Sequence, residues 1–160
     1  MRILGIDPGL NITGYGCIEN NDGRLKLLET GIIKPKKKAD LSNRLGKIYS
    51  LLSELIDQYK PQVLVLEKIY SHSVHPATAA ILGHARGVIC LLCDHKDIRL
   101  SEESVKRIRK SLIGNGNATK LQVRRAVSQM LQIDEDKLTL DASDALALAI
   151  GYTYLQKRIL

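Results

Sequence analysis

The sequence predicts an α/β fold. A three-stranded antiparallel meander, extended by parallel strands into a five-stranded mixed sheet, is flanked by helices. Two observations carry this. Residues 1–33 contain three strand-like stretches separated by turn residues, the arrangement of a meander. Residues 41–66 then read as a helix leading to the continuous apolar run Val63-Leu64-Val65-Leu66, as expected of a crossover into a parallel strand covered on both faces. At 160 residues, 44% hydrophobic and 26% charged, the chain fits a single globular domain over 1–160.

Taken in order, Ile3-Leu4-Gly5-Ile6 is a short buried strand that ends in Asp7-Pro8-Gly9, so it delivers a carboxylate to a sheet edge. Thr13 to Glu19 and Arg24 to Ile33 have strand composition, with the hairpin signal Asn20-Asn21-Asp22-Gly23 between them. Lys36 to Lys38, following Pro35, reads as a solvated loop. From Leu41 onward Leu45, Ile48, Leu52, Leu55, Ile56 and Tyr59 form one apolar stripe on a helix capped near Asp40 or Ser42 and stopped by Pro61. Val63 to Leu66 then ends in Glu67 and repeats the pattern of the opening strand. Tyr70 to Pro76 reads as a loop and Ala77 to Cys93 as a helix. Gly83 and Gly87 share one face of that helix, expected to pack on the sheet, with a subunit contact as the alternative.

Ile98 to Leu100 is a short strand, and Ser101 before Glu102-Glu103 signals the start of a helix. On that helix Val105, Ile108 and Leu112 are opposed by Lys106, Arg107, Arg109 and Lys110. Gly114-Asn115-Gly116-Asn117 breaks it. A second basic helix begins near Thr119 and carries Lys120, Arg124 and Arg125, its start suited to a phosphate. Leu140-Asp141-Ala142-Ser143-Asp144 opens the run Ala145 to Ile150, which suits a helix buried on most sides.

Composition narrows the function classes. With 24 Lys+Arg against 17 Asp+Glu, the formal charge is +7 and the pI about 9.4, which points to a polyanionic partner. Three cysteines, an odd number, do not suggest a disulfide framework. Cys90 and Cys93 form a C-x-x-C, but they sit inside an apolar helical run and read as buried, reduced thiols. No G-x-x-x-x-G-K-[ST] phosphate loop occurs. The chain has no secretory layout at its start, and its apolar runs are interrupted short of a membrane span, so a cytoplasmic protein without a membrane partner is expected.

Asp7 and Glu67 converge if their strands are adjacent and parallel. Asp141 and Asp144, three residues apart, share a face of the first turn of the last helix, although an Asp at a helix start is commonly only a cap. Four uncompensated carboxylates repel one another and call for a cation, and all-oxygen ligands favour Mg²⁺ or Mn²⁺. Two ions roughly 4 Å apart activate water on one side of a phosphate and stabilise the departing oxygen on the other. Beside basic helices, this suggests phosphodiester hydrolysis.

The segments Gly5-Ile6-Asp7-Pro8-Gly9 with Thr13-Gly14-Tyr15-Gly16, Leu66-Glu67, Leu82-Gly83-His84-Ala85-Arg86-Gly87, Gly114-Asn115-Gly116 with Lys120, and Asp141-Ala142-Ser143-Asp144-Ala145-Leu146-Ala147 closely resemble the RuvC Holliday junction resolvases, in order, from Met1 to about Tyr152. The resemblance implies a ribonuclease H-like fold and a homodimer. It also implies Mg²⁺-dependent cutting of two opposed strands at a four-way DNA junction, leaving 5′-phosphate and 3′-hydroxyl ends, with a branch-migration helicase complex as a possible partner. It assigns Asp7, Glu67, Asp141 and Asp144 as the acidic tetrad holding two ions. Tyr70 stands where the family commonly has a Phe that stacks on unpaired bases, a role Tyr also fills. Lys120 matches a basic position near the site, Arg109 replaces a common Lys, and His84 a common Gln. Arg109, Lys120 and Arg124 are expected to contact the DNA backbone. The alternatives are a ribonuclease H-like enzyme acting on RNA or other branched DNA, a junction-binding module without catalysis, and an actin-like ATPase. For the last of these the chain is too short.

Overall fold

The computed structural model describes residues 1–36, 38–68 and 76–157. Strands β1 (Arg2–Asp7), β2 (Thr13–Asn21), β3 (Arg24–Ile33), β4 (Val63–Glu67) and β5 (Arg99–Glu103) form one sheet in the order β3-β2-β1-β4-β5. The first three are the predicted antiparallel meander, and β4 and β5 are parallel additions to β1. Helices α1 (Leu41–Tyr59), α2 (Pro76–His95), α3 (Val105–Ile113), α4 (Lys120–Leu131) and α5 (Leu140–Lys157) complete the layers.

Strand alternation divides the core in two. Ile3, Ile18, Val63 and Val65 face α3, α4 and α5, while Leu4, Ile6, Cys17, Leu64 and Leu66 face α1 and α2. Asp7 and Glu67 continue the first set by parity, so both belong to the α5 side. Helix boundaries follow local chemistry. The Asp40 carboxylate accepts the Asn43 N–H at the start of α1, and Thr119 with Gln122 forms a reciprocal capping box on α4.

Four expectations are corrected. The helix expected from Ser101 begins at Val105 with Ser104 as its cap, because Ser101, Glu102 and Glu103 pair with Val65, Leu66 and Glu67 as the end of β5. A row of ladder hydrogen bonds outweighs one local cap signal. Gly83 and Gly87 do not pack on the sheet: both are exposed, with nothing within 4 Å of a Cβ at either. The packed face of α2 is instead Ala85, Ile89, Leu92 and Cys93, so Cys90, expected to be buried, is turned outward and exposed. Finally, residues 77–95 are long and apolar enough to cross a membrane by composition, with a mean hydropathy of 1.3. In this fold one side of that helix packs against the sheet and α1.

Candidate active site

The site begins with a strip of missing side chains. Gly5 and Gly16 are paired across β1 and β2, and Gly14 is the partner of Asp7. A Cβ on Gly5 would stand 1.9 Å from the Ala145 carbonyl oxygen, and one on Gly14 2.1 Å from that of Asp141. The backbone of α5 therefore rests directly on the sheet, and its first turn, with Asp141 and Asp144, is brought to Asp7. Beside Asp7 the bend at Gly9 is closed by the buried Thr13, whose hydroxyl donates to the Gly9 carbonyl at 2.7 Å. On the other side, Ile6 is paired in parallel with Leu66, so Asp7 and Glu67 leave adjacent strands at the same edge.

Asp7, Glu67 and Asp144 line a cavity of about 150 Å³ with Arg109 and Lys120, over an apolar floor that includes Ile108 and Val123. Asp141 does not line it, but its charge reaches Asp7. Burial, with the charges of Asp144, Glu67 and Asp141, pushes the Asp7 carboxyl from its ordinary 3.8 up to about 7, against the lowering influence of Lys120. Burial and Asp144 likewise raise Glu67, opposed by Lys120, Arg109 and Arg86. The Lys120 ammonium donates to Asp144 Oδ2 at 2.5 Å, and this bond raises its pKa. Among the described residues no three carboxylates are gathered closely enough to hold an ion unaided, and Lys120 meanwhile answers the charge of Asp144. An all-oxygen, mutually repelling set with a lysine ammonium on one member fits a hard divalent cation.

The remaining predicted residues are placed differently. Arg109 lines the cavity while one of its guanidinium nitrogens donates to the Ala118 carbonyl at 2.9 Å, tying α3 to the start of α4. Arg124 is outside the cavity lining and pairs with Glu135 at 3.3 Å. Its neighbour Arg125 is far more exposed. Tyr70 lies outside the described residues. Reasoning from sequence gave no role to Arg86, which donates to the Glu67 carbonyl at 2.5 Å and bonds Glu102, so it holds the end of β4. Only the register of α2 against β4 and β5 reveals that contact.

The protonation of Asp7 sets a pH dependence. With its folded pKa raised to about 7, the group's contribution to stability is complete below 3.8 and is lost as pH rises through 7. The metal-free protein is therefore expected to melt at lower temperature at pH 8.5 than at pH 5.5. Divalent-cation affinity, measured by calorimetry, is expected to rise about tenfold per pH unit below 7 and to level off above it. A pH-independent affinity would contradict this arrangement of charges.

A carboxylate-walled cavity on a ribonuclease H-like sheet, beside basic helices, defines a phosphodiester-cleaving nuclease. A model of the family described as crossover junction endodeoxyribonuclease RuvC matches residues 3–152. The chain is 39% identical over 153 residues to the crossover junction endodeoxyribonuclease RuvC of Rhodopirellula baltica, covering 96% of this chain and 86% of that protein. It is 38% identical over 154 residues to that of Legionella pneumophila (strain Corby), with 96% and 87% covered. The fold matches Thermus thermophilus RuvC with a TM-score of 0.87 at 22% identity, covering 99% and 96% of the two chains. It matches T. thermophilus RuvC in complex with Holliday junction substrate at 0.88 and 19% identity, with the same coverage. This chain belongs to the RuvC family.

Proposed function

We propose that this protein resolves four-way DNA junctions in recombination and repair, by paired, metal-dependent phosphodiester hydrolysis that leaves 5′-phosphate and 3′-hydroxyl ends. The observation that carries the reading is the meeting of Asp7 and Glu67, from adjacent parallel strands, with the first turn of α5 beside Arg109 and Lys120. Asp7, Glu67, Asp141 and Asp144 would hold Mg²⁺, or Mn²⁺ in its place; two such ions, when bound, supply an activated water and stabilise the departing oxygen. Asp7 must lose its proton to take part. Lys120 serves as the counter-charge of Asp144 and, once that carboxylate is engaged elsewhere, turns to a phosphate oxygen. Arg109 steers the phosphate from the opposite wall. Tyr70 stacks on a base at the crossover, and Arg124, held by Glu135, contacts the backbone farther out. The protein acts on such junctions in the cytoplasm, and a branch-migration helicase is a fitting companion for a resolvase.

Two opposed cuts need two sites, and α2 supports a homodimer. Its outward face presents Ala80, Ile81, Gly83, Gly87, Cys90 and Leu91, a run of small and apolar residues with Ile81 49% and Leu91 51% exposed. A second copy of the same face would cover it. Gly87→Arg has open space within the protomer, so it is expected to leave the fold intact while producing a monomer in sedimentation. Read at nucleotide resolution, the parent protein should cut a synthetic four-way junction at paired, symmetric positions, and Gly87→Arg should yield single nicks. Equal cutting of linear duplex or structured RNA would overturn the reading.

A further inference from the structure

We propose that the groove lined by Lys34, Lys36, Lys38 and Lys47 binds the phosphate backbone of a duplex arm, giving the junction a second basic contact on the β3 side of the site. The inference rests on the reading of the chain as a junction nuclease.

The groove, about 710 Å³, lies where β3 passes into α1, and Pro35, Ala39 and Asn43 complete its walls. All four lysines are exposed, and among the described residues none is within ion-pair reach of a carboxylate. Other cations, among them Arg24, Lys26 and Lys60, are also outside ion-pair reach; what sets these four apart is that they line one groove. Asp40, the nearby acid in sequence, is turned to the Asn43 N–H and the Ser42 hydroxyl. The groove is also held in place. Pro35 is buried, and Arg44 donates both to the Ala39 carbonyl at 3.0 Å and to Asn11 Oδ1 at 3.0 Å, joining this segment to the loop that follows Asp7.

The sheet register locates the groove relative to the chemistry. Asp7, Gly14 and Ile32 lie in one row across β1, β2 and β3. Two strand spacings sideways and two residues beyond Ile32, one past the end of β3, put Lys34 roughly 12 Å from Asp7. That is about the rise of three to four base pairs. A duplex arm whose strand is cut at Asp7 therefore passes over these lysines. Compact, hydrated ammonium groups suit sequence-independent phosphate contact, as junction binding requires.

The test compares two triple variants with the full-length parent in junction binding without divalent metal. Lys34→Gln/Lys36→Gln/Lys47→Gln is expected to bind a four-way junction at least tenfold more weakly. Its slope of log affinity against log salt should be shallower by about 2 to 3. Arg24→Gln/Lys26→Gln/Lys60→Gln removes the same charge at the opposite end of the sheet and is expected to change affinity less than twofold. Equal losses in both variants, or no loss in the first, would overturn the proposal. Absence of junction preference in the parent protein would count against the nuclease reading instead, since the signature of the groove is the difference between the two variants.

Discussion

Asp7→Asn is expected to lower four-way junction cleavage by at least about 10³-fold while leaving junction affinity within about twofold. In the proposed mechanism the substitution removes one wall of the metal site, and a factor of this size corresponds to about 4 kcal/mol of transition-state stabilisation. Binding is expected to persist because the proposed DNA contacts come from cationic side chains. The same substitution carries a stability signature. Raising the Asp7 pKa from 3.8 to about 7 means that ionising the group in the metal-free fold at pH 8 costs up to about 4 kcal/mol. The neutral amide avoids that cost. Metal-free Asp7→Asn should therefore melt at a higher temperature than the parent at pH 8, with the gain shrinking toward pH 4, and should lose the stabilisation the parent gains from Mg²⁺. Wild-type cleavage by this variant would refute the role given to Asp7.

The second large effect belongs to the glycines beneath α5. Gly5→Ala would force a Cβ to within 1.9 Å of the Ala145 carbonyl oxygen and 3.0 Å of the Ala149 nitrogen. Both neighbours are backbone, so neither can swing aside. Ala142, Ala145, Leu146, Ala149 and Ile150 are all buried, and lifting the helix loosens its packing along several turns. A loss of about 3–5 kcal/mol is expected by denaturant unfolding, above the common range for overpacking because backbone meets backbone. Gly14→Ala acts on Asp141 itself and is expected to depress cleavage further than its unfolded fraction explains. Gly83→Ala on the outer face of α2 is the contrast: with nothing within 4 Å in the protomer, it should leave the stability of the Gly87→Arg monomer unchanged or raise it by up to about 1 kcal/mol. Equal costs at Gly5 and Gly83 would show that close approach, rather than helix and strand propensity, had been misjudged.

Much of the architecture was legible because each element announces itself locally. The hairpin residues 20–23, the stripe from Leu45 to Tyr59 and the apolar run of β4 all declare their period without help from distant parts of the chain. Ser101 to Glu103 misled for the opposite reason, since their pairing partners in β4 are more than thirty residues away. The open face at Gly83 and Gly87 was ambiguous because spacing groups residues on a helix face without saying what that face meets.

The sequence by itself determined the kinds of groups available: strands that end in Asp7 and Glu67, a buried helix that opens with Asp141 and Asp144, and an excess of positive charge. Tertiary structure alone decided where they meet. It set the parallel pairing of Ile6 with Leu66, the seating of α5 on Gly5 and Gly14, the ammonium of Lys120 on Asp144, and the withdrawal of Arg124 to Glu135. The reason is physical. Periodicity and turn chemistry act over a few residues and can be read along the chain. Carboxylate coupling, close backbone approach and ion pairing act over a few ångströms between residues far apart in sequence, and they exist only once the sheet has brought those residues together.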